Sequence, residues 1–73
     1  MAGQLRTAER IQVGATLKRM RTEAGMNREA AADRLGYTTT TIGNMEQGRT
    51  RVRHADLTAL LELYGALRIR LLT

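Results

Sequence analysis

Two groups of side chains in this 73-residue chain offer hydrogen bonds or charge to a partner. The first is the polar run Thr38-Thr39-Thr40-Thr41, followed by Asn44 and Gln47. Placed on a helix, Thr39, Thr40, Gly43, Asn44 and Gln47 share one face, and Ile42 and Met45 point the other way. A threonine hydroxyl can bond a phosphate or a base, and its methyl can touch a thymine methyl. Asparagine, and glutamine if it reaches, can pair bidentately with adenine. Gly43 on that face would let the backbone approach a ligand closely. The second group is Arg49, Arg51 and Arg53, with no acid between them. Three clustered guanidiniums suit phosphate.

Catalysis has no comparable set of residues. A nucleophile, base and acid in one cleft would need His54, the only histidine, or clustered carboxylates. The acids Glu9, Glu23, Glu29, Asp33, Glu46, Asp56 and Glu62 are scattered instead. The chain has no cysteine, so thiolate metal sites and disulfides are excluded, and one histidine does not make a metal site. The expectation is a binding protein with no cofactor and no metal.

Charge narrows the partner. A net charge of +5 suits a polyanion, nucleic acid first and an anionic membrane surface second. No apolar run approaches the roughly 20 residues of a membrane span. No helix sets a continuous basic face against large apolar residues, as surface-bound helices do. With only Tyr37 and Tyr64 as aromatics, the chain lacks the stacking residues of single-strand binders. Double-stranded DNA is the favoured partner, with RNA or a membrane surface as the weaker alternative. The missing cysteines and the missing apolar leader fit a cytoplasmic protein.

The elements that must hold these residues are helical. Leucine and alanine dominate the apolar set, and proline is absent. Val13, Leu17, Met20 and Ala24 form a stripe that predicts a helix at about 10–24, stopped by Gly25. Residues 1–9 show no period and read as a flexible arm. Asn27 is a good N-cap for a second helix at 28–35, with Glu29 in its first turn and Gly36 as its stop. Thr38 caps a third helix from Thr39 to about Gln47, ended by Gly48. Gly43 inside it costs about 1 kcal/mol relative to alanine. Leu57, Leu60, Leu61 and Tyr64 predict a fourth helix at about 55–64, closed by Gly65. In the tail 66–73, Leu67, Ile69 and Leu71 alternate with Arg68 and Arg70. That is a strand period, with a fifth helix as the alternative.

The expected architecture is therefore all-α, with four to five short helices. It has an arm at 1–9, one domain at 10–65 and a tail at 66–73. A core this small often leans on oligomerisation. The second helix, the glycine-opened turn and the third helix form the unit by which a recognition helix enters the major groove.

The run Leu17-Lys-Arg-Met-Arg21-Thr-Glu-Ala-Gly25-Met-Asn27-Arg-Glu-Ala-Ala-Ala32-Asp-Arg-Leu35-Gly36 resembles the opening of the Xre/Cro-repressor helix-turn-helix family. Thr38-Thr-Thr-Thr-Ile42-Gly-Asn-Met45-Glu46-Gln-Gly48-Arg continues the resemblance. So does Leu57-Thr-Ala-Leu60-Leu61-Glu-Leu-Tyr64-Gly65, and the likeness covers residues 13–65 without a gap.

The resemblance implies a lambda-repressor-like fold and a sequence-specific transcriptional regulator, a repressor acting as a homodimer on double-stranded DNA. It implies base contacts at Thr39, Thr40, Gly43 and Asn44. It implies phosphate contacts at Arg28, Arg49 and Arg51, and Thr38 and Arg53 complete that expected set. It also implies a structural ion pair between Arg21 and Glu46. The physics agrees, because Glu46 is the one acid at the end of an otherwise acid-free face and would repel phosphates unless turned inward.

Two features depart from the family pattern. Thr40 and Gly43 are short where long polar or basic side chains are usual, and Ala31 stands where leucine is usual. The segment from Arg53 to Gly65 resembles actinobacterial Xre-type regulators whose chains continue further. The alternating tail is similar to that of antitoxins whose C-terminal strand pairs across a dimer. The alternative function is accordingly a protein-interaction module, the antitoxin of a toxin–antitoxin pair.

Overall fold

Asn27 and Thr38 set the starts of the two central helices. In the computed structural model, which describes residues 2–72 and the side chains of 8–69, both residues have extended backbones. The Asn27 side chain accepts from the Ala30 N–H at 2.8 Å, and Thr38 Oγ1 accepts from the Thr41 N–H at 3.1 Å. Each bond satisfies a donor that the first helical turn leaves without a partner. The four helices are α1 (Ala2–Glu23), α2 (Arg28–Leu35), α3 (Thr39–Glu46) and α4 (His54–Leu72). The described residues contain no strand, so the all-α expectation holds.

Between α2 and α3 lie only Gly36, Tyr37 and Thr38. Gly36 sits at φ 74°, in the left-handed region where a side chain is strained. From there the Gly36 and Tyr37 N–H groups both reach the Ala32 carbonyl, the latter at 2.9 Å. This closes α2 and turns the chain within three residues.

The core is built from the inner stripe of each helix. Leu17, Ile42, Leu60 and Tyr64 are fully buried, with Ala24, Ala31, Ala32 and Met45 around them. Two buried alanines on α2 place no bulk between it and α3. A second close approach is at Gly14. A Cβ there would stand 2.5 Å from the carbonyl oxygens of Met45 and Glu46, so α1 crosses the end of α3 backbone to backbone.

Helices α1 and α4 flank this unit and run in the same direction. Glu9, Arg10 and Val13 share a surface groove with Arg51, Val52 and Leu57 at one end. At the other end Arg68 Nη1 meets Glu23 Oε2 at 3.2 Å. The result is elongated, with principal dimensions of 45 × 23 × 18 Å.

Two boundaries differ from the sequence reading. Helix α1 begins at Ala2, not near residue 10, so the expected arm is helical. Its segment has no proline, and apart from Gly3 and Thr7 it consists of good helix formers, so helix propensity continues upstream of the apolar stripe. The tail is neither strand nor separate helix, because α4 runs unbroken to Leu72. Leu60, Tyr64 and Leu67 supply a helical spacing that overrides the short alternation. Gly65 is consequently inside α4, and its φ is not positive.

Candidate nucleic-acid interface

The exposed face of α3 is polar and carries no free acid. Thr39, Thr40 and Thr41 are exposed and Asn44 is half-buried, while Ile42 and Met45 face the core. Thr38 is exposed too, but its hydroxyl accepts from the Thr41 N–H and lies 2.9 Å from Thr41 Oγ1. Its first role is the cap.

Glu46, the one acid of this helix, is turned inward. Arg21 Nε donates to its Oε2 at 2.6 Å, and Arg21 Nη2 donates to its Oε1 at 3.1 Å. Arg21 Nη1 also donates to the Met26 carbonyl at 2.8 Å. The two side chains are 9% and 2% exposed. A bidentate pair so placed locks α1 to the end of α3. The hydrogen bonds from its guanidinium to Glu46 raise the Arg21 pKa above its usual value, so the cation persists at any working pH.

Arg28 joins this pair, which the sequence reading did not foresee. Its Nε donates to Glu46 Oε1 at 3.1 Å. Two arginines thus share one carboxylate and leave a positive surplus beside α3. Gly43 is buried, and the group lying against it is the Arg28 guanidinium. The expectation was that Gly43 lets the helix backbone come close to a base; its close neighbour within the fold is a side chain from α2.

The basic loop follows directly. Gly48, at φ 73°, and the Arg49 N–H bond to the Asn44 carbonyl (3.0 Å) end α3. A Cβ on Gly48 would press on Ile11 of α1 at 2.9 Å, so the loop's start is held against that helix. Arg49, Arg51 and Arg53 are all exposed, just beyond the C-terminal end of α3.

A further contact escaped the sequence reading. The Tyr37 hydroxyl donates to Asp56 Oδ1, tying the turn before α3 to the first turn of α4. This bond, with some burial, raises the Tyr37 pKa. The Tyr64 pKa is also raised, chiefly by burial and then by the nearby Glu46 charge. No spacing in the sequence links Tyr37 to Asp56; only the fold brings them together.

Among the described residues, no group of acids and histidine could hold a metal ion. No helix among the described residues is long and apolar enough to cross a membrane. Two helices at a tight turn, the second with a polar, acid-free outer face beside a basic loop, define a helix-turn-helix domain of the DNA-binding class. A family model described as a helix-turn-helix domain matches residues 12–71, and the chain belongs to that family. No curated protein and no solved structure matches the chain significantly.

Proposed function

We propose that the protein is a sequence-specific transcriptional regulator of the Xre type, a repressor that binds double-stranded DNA as a homodimer. Helix α3 enters the major groove. Thr39, Thr40 and Asn44 meet base edges, and Arg49, Arg51 and Arg53 meet flanking phosphates. One observation carries the reading. The only acid of α3 is withdrawn into a buried pair with Arg21, so the outward face presents hydroxyls, an amide and positive charge to a polyanion.

An eight-residue α3 spans few base pairs, so specificity calls for two copies on half-sites about one helical turn apart. The outer side of α4 supports this. Leu61 and Ile69 are exposed apolar side chains there, whereas Leu63 and Leu67 pack toward the core. The antitoxin alternative no longer has the C-terminal strand in its favour, since α4 is continuous, and co-purification with a partner protein is what would support it.

Selection from a randomised duplex pool, with binding measured at two salt concentrations, tests the proposal. A palindromic motif with steep salt dependence supports it. Binding that ignores salt, or no binding at low salt, rejects it.

A further inference from the structure

The position that α3 leaves empty is filled from α2. Gly43 lies four residues after Thr39, three after Thr40 and four before Gln47, on the same face. A Cβ built on Gly43 would stand 3.5 Å from Arg28 Nη1 and 3.8 Å from Arg28 Cζ. The guanidinium therefore occupies the space in which a side chain at 43 would begin.

It is also oriented. The bond from Arg28 Nε to Glu46 Oε1 fixes the plane of the group. Glu46 is itself immobilised by two bonds from Arg21. Both Nη groups of Arg28 remain without a hydrogen-bond acceptor among the described residues. The side chain is 35% exposed, so solvent reaches part of it.

We propose that Arg28 reads a base, a guanine, from α2, in the place of the side chain that Gly43 lacks. The proposal rests on the DNA-binding reading above and assigns a specificity residue within it. The two remaining donor groups of a guanidinium match the O6 and N7 acceptors of guanine on the major-groove edge. A phosphate contact would suit a cation at the flank of the recognition face. This one lies over the middle of the Thr39–Gly43–Gln47 row. Because one carboxylate is shared by two arginines, the pair does not cancel the positive charge that guanine's acceptors favour. Holding the side chain in advance also lowers the ordering cost of binding.

The test compares the wild type with Arg28→Gln and Gly43→Leu in the randomised-duplex selection, followed by titration of single sites. Both variants keep the Arg21–Glu46 pair, and a thermal melt confirms that they fold. The wild-type motif is expected to contain one guanine per half-site that both variants no longer prefer, with the other positions unchanged. The first substitution removes the guanidinium fork, and the second displaces it. Affinity for the guanine-bearing site should fall roughly 5- to 150-fold, the range for a bidentate base contact. Uniform weakening with the motif intact would make Arg28 a phosphate contact and overturn the proposal. An unchanged motif and affinity would overturn it as well. A wild type that binds no duplex removes the DNA-binding reading itself, and this assignment with it; a wild-type motif indifferent to Arg28 removes this assignment alone.

Discussion

Arg21 and Glu46, 25 residues apart in sequence, meet through two hydrogen bonds in a place that solvent barely reaches. Removing one partner of such a pair strands a buried charge, which costs about 3–5 kcal/mol. A chain of this length has a total stability of roughly 4–11 kcal/mol at typical values per residue. Glu46→Gln is therefore expected to remove a large share of the folding free energy. Arg28→Gln should cost less than about 1 kcal/mol, because its contact to Glu46 is part-exposed and Arg21 remains. Urea unfolding of the two variants checks the ranking; equal losses would contradict it.

The glycines of α1 and α4 predict opposite signs for the same substitution. Gly14→Ala drives a methyl to 2.5 Å from two backbone carbonyl oxygens, which cannot step aside. A loss of about 1–3 kcal/mol is expected from overpacking. Gly65→Ala meets nothing within 4 Å and lies inside a helix. A gain of about 0.5–1 kcal/mol is expected from helix propensity. Melting temperatures should move down for the first and up for the second.

Alkaline pH should weaken the fold through its two tyrosines. Their pKa values in the folded state lie above the ordinary 10.0, for Tyr37 through its bond to Asp56 and for Tyr64 through burial. The unfolded chain then loses these protons first as pH rises. The stabilisation is complete below pH 10 and is lost as pH climbs through the folded-state values. Tyrosinate absorbance should titrate later in the native protein than in urea. In Tyr37→Phe, the stability loss above pH 10 should be smaller.

Arg49, Arg51 and Arg53 should act through charge alone. Each replacement by glutamine is expected to weaken all duplexes alike and to lower the salt slope by about one unit. Thr39→Ala or Asn44→Ala should change the selected motif, with little change in slope. Fluorescence titrations at several salt concentrations separate the two behaviours.

Much of this could be read in the residues themselves. Asn27 and Thr38 mark helix starts because their side chains do one local job, and Gly36 marks an end for the same reason. The inward turn of Glu46 followed from the cost of an acid on a face meant for phosphates, whereas its partner Arg21 came from the family resemblance. The failures were all tertiary. The apolar stripe begins at Val13, so it gave no sign of the helix before it. The alternation at Leu67, Ile69 and Leu71 is too short to compete with a helix already running through Leu60 and Tyr64. The company of Gly43 was hidden because an arginine's reach across two helices depends on how closely they pack, and α2's alanines decide that.

The parallel course of α1 and α4 has a consequence for rearranging the chain. Residues 2 and 72 lie at opposite poles of a body 45 Å long. A circular permutant joining them needs a linker of about 14 residues even at full stretch. Two copies fused end to end through a short linker would instead set the second domain beyond the far pole of the first. Such a tandem would resist folding back into a side-by-side pair.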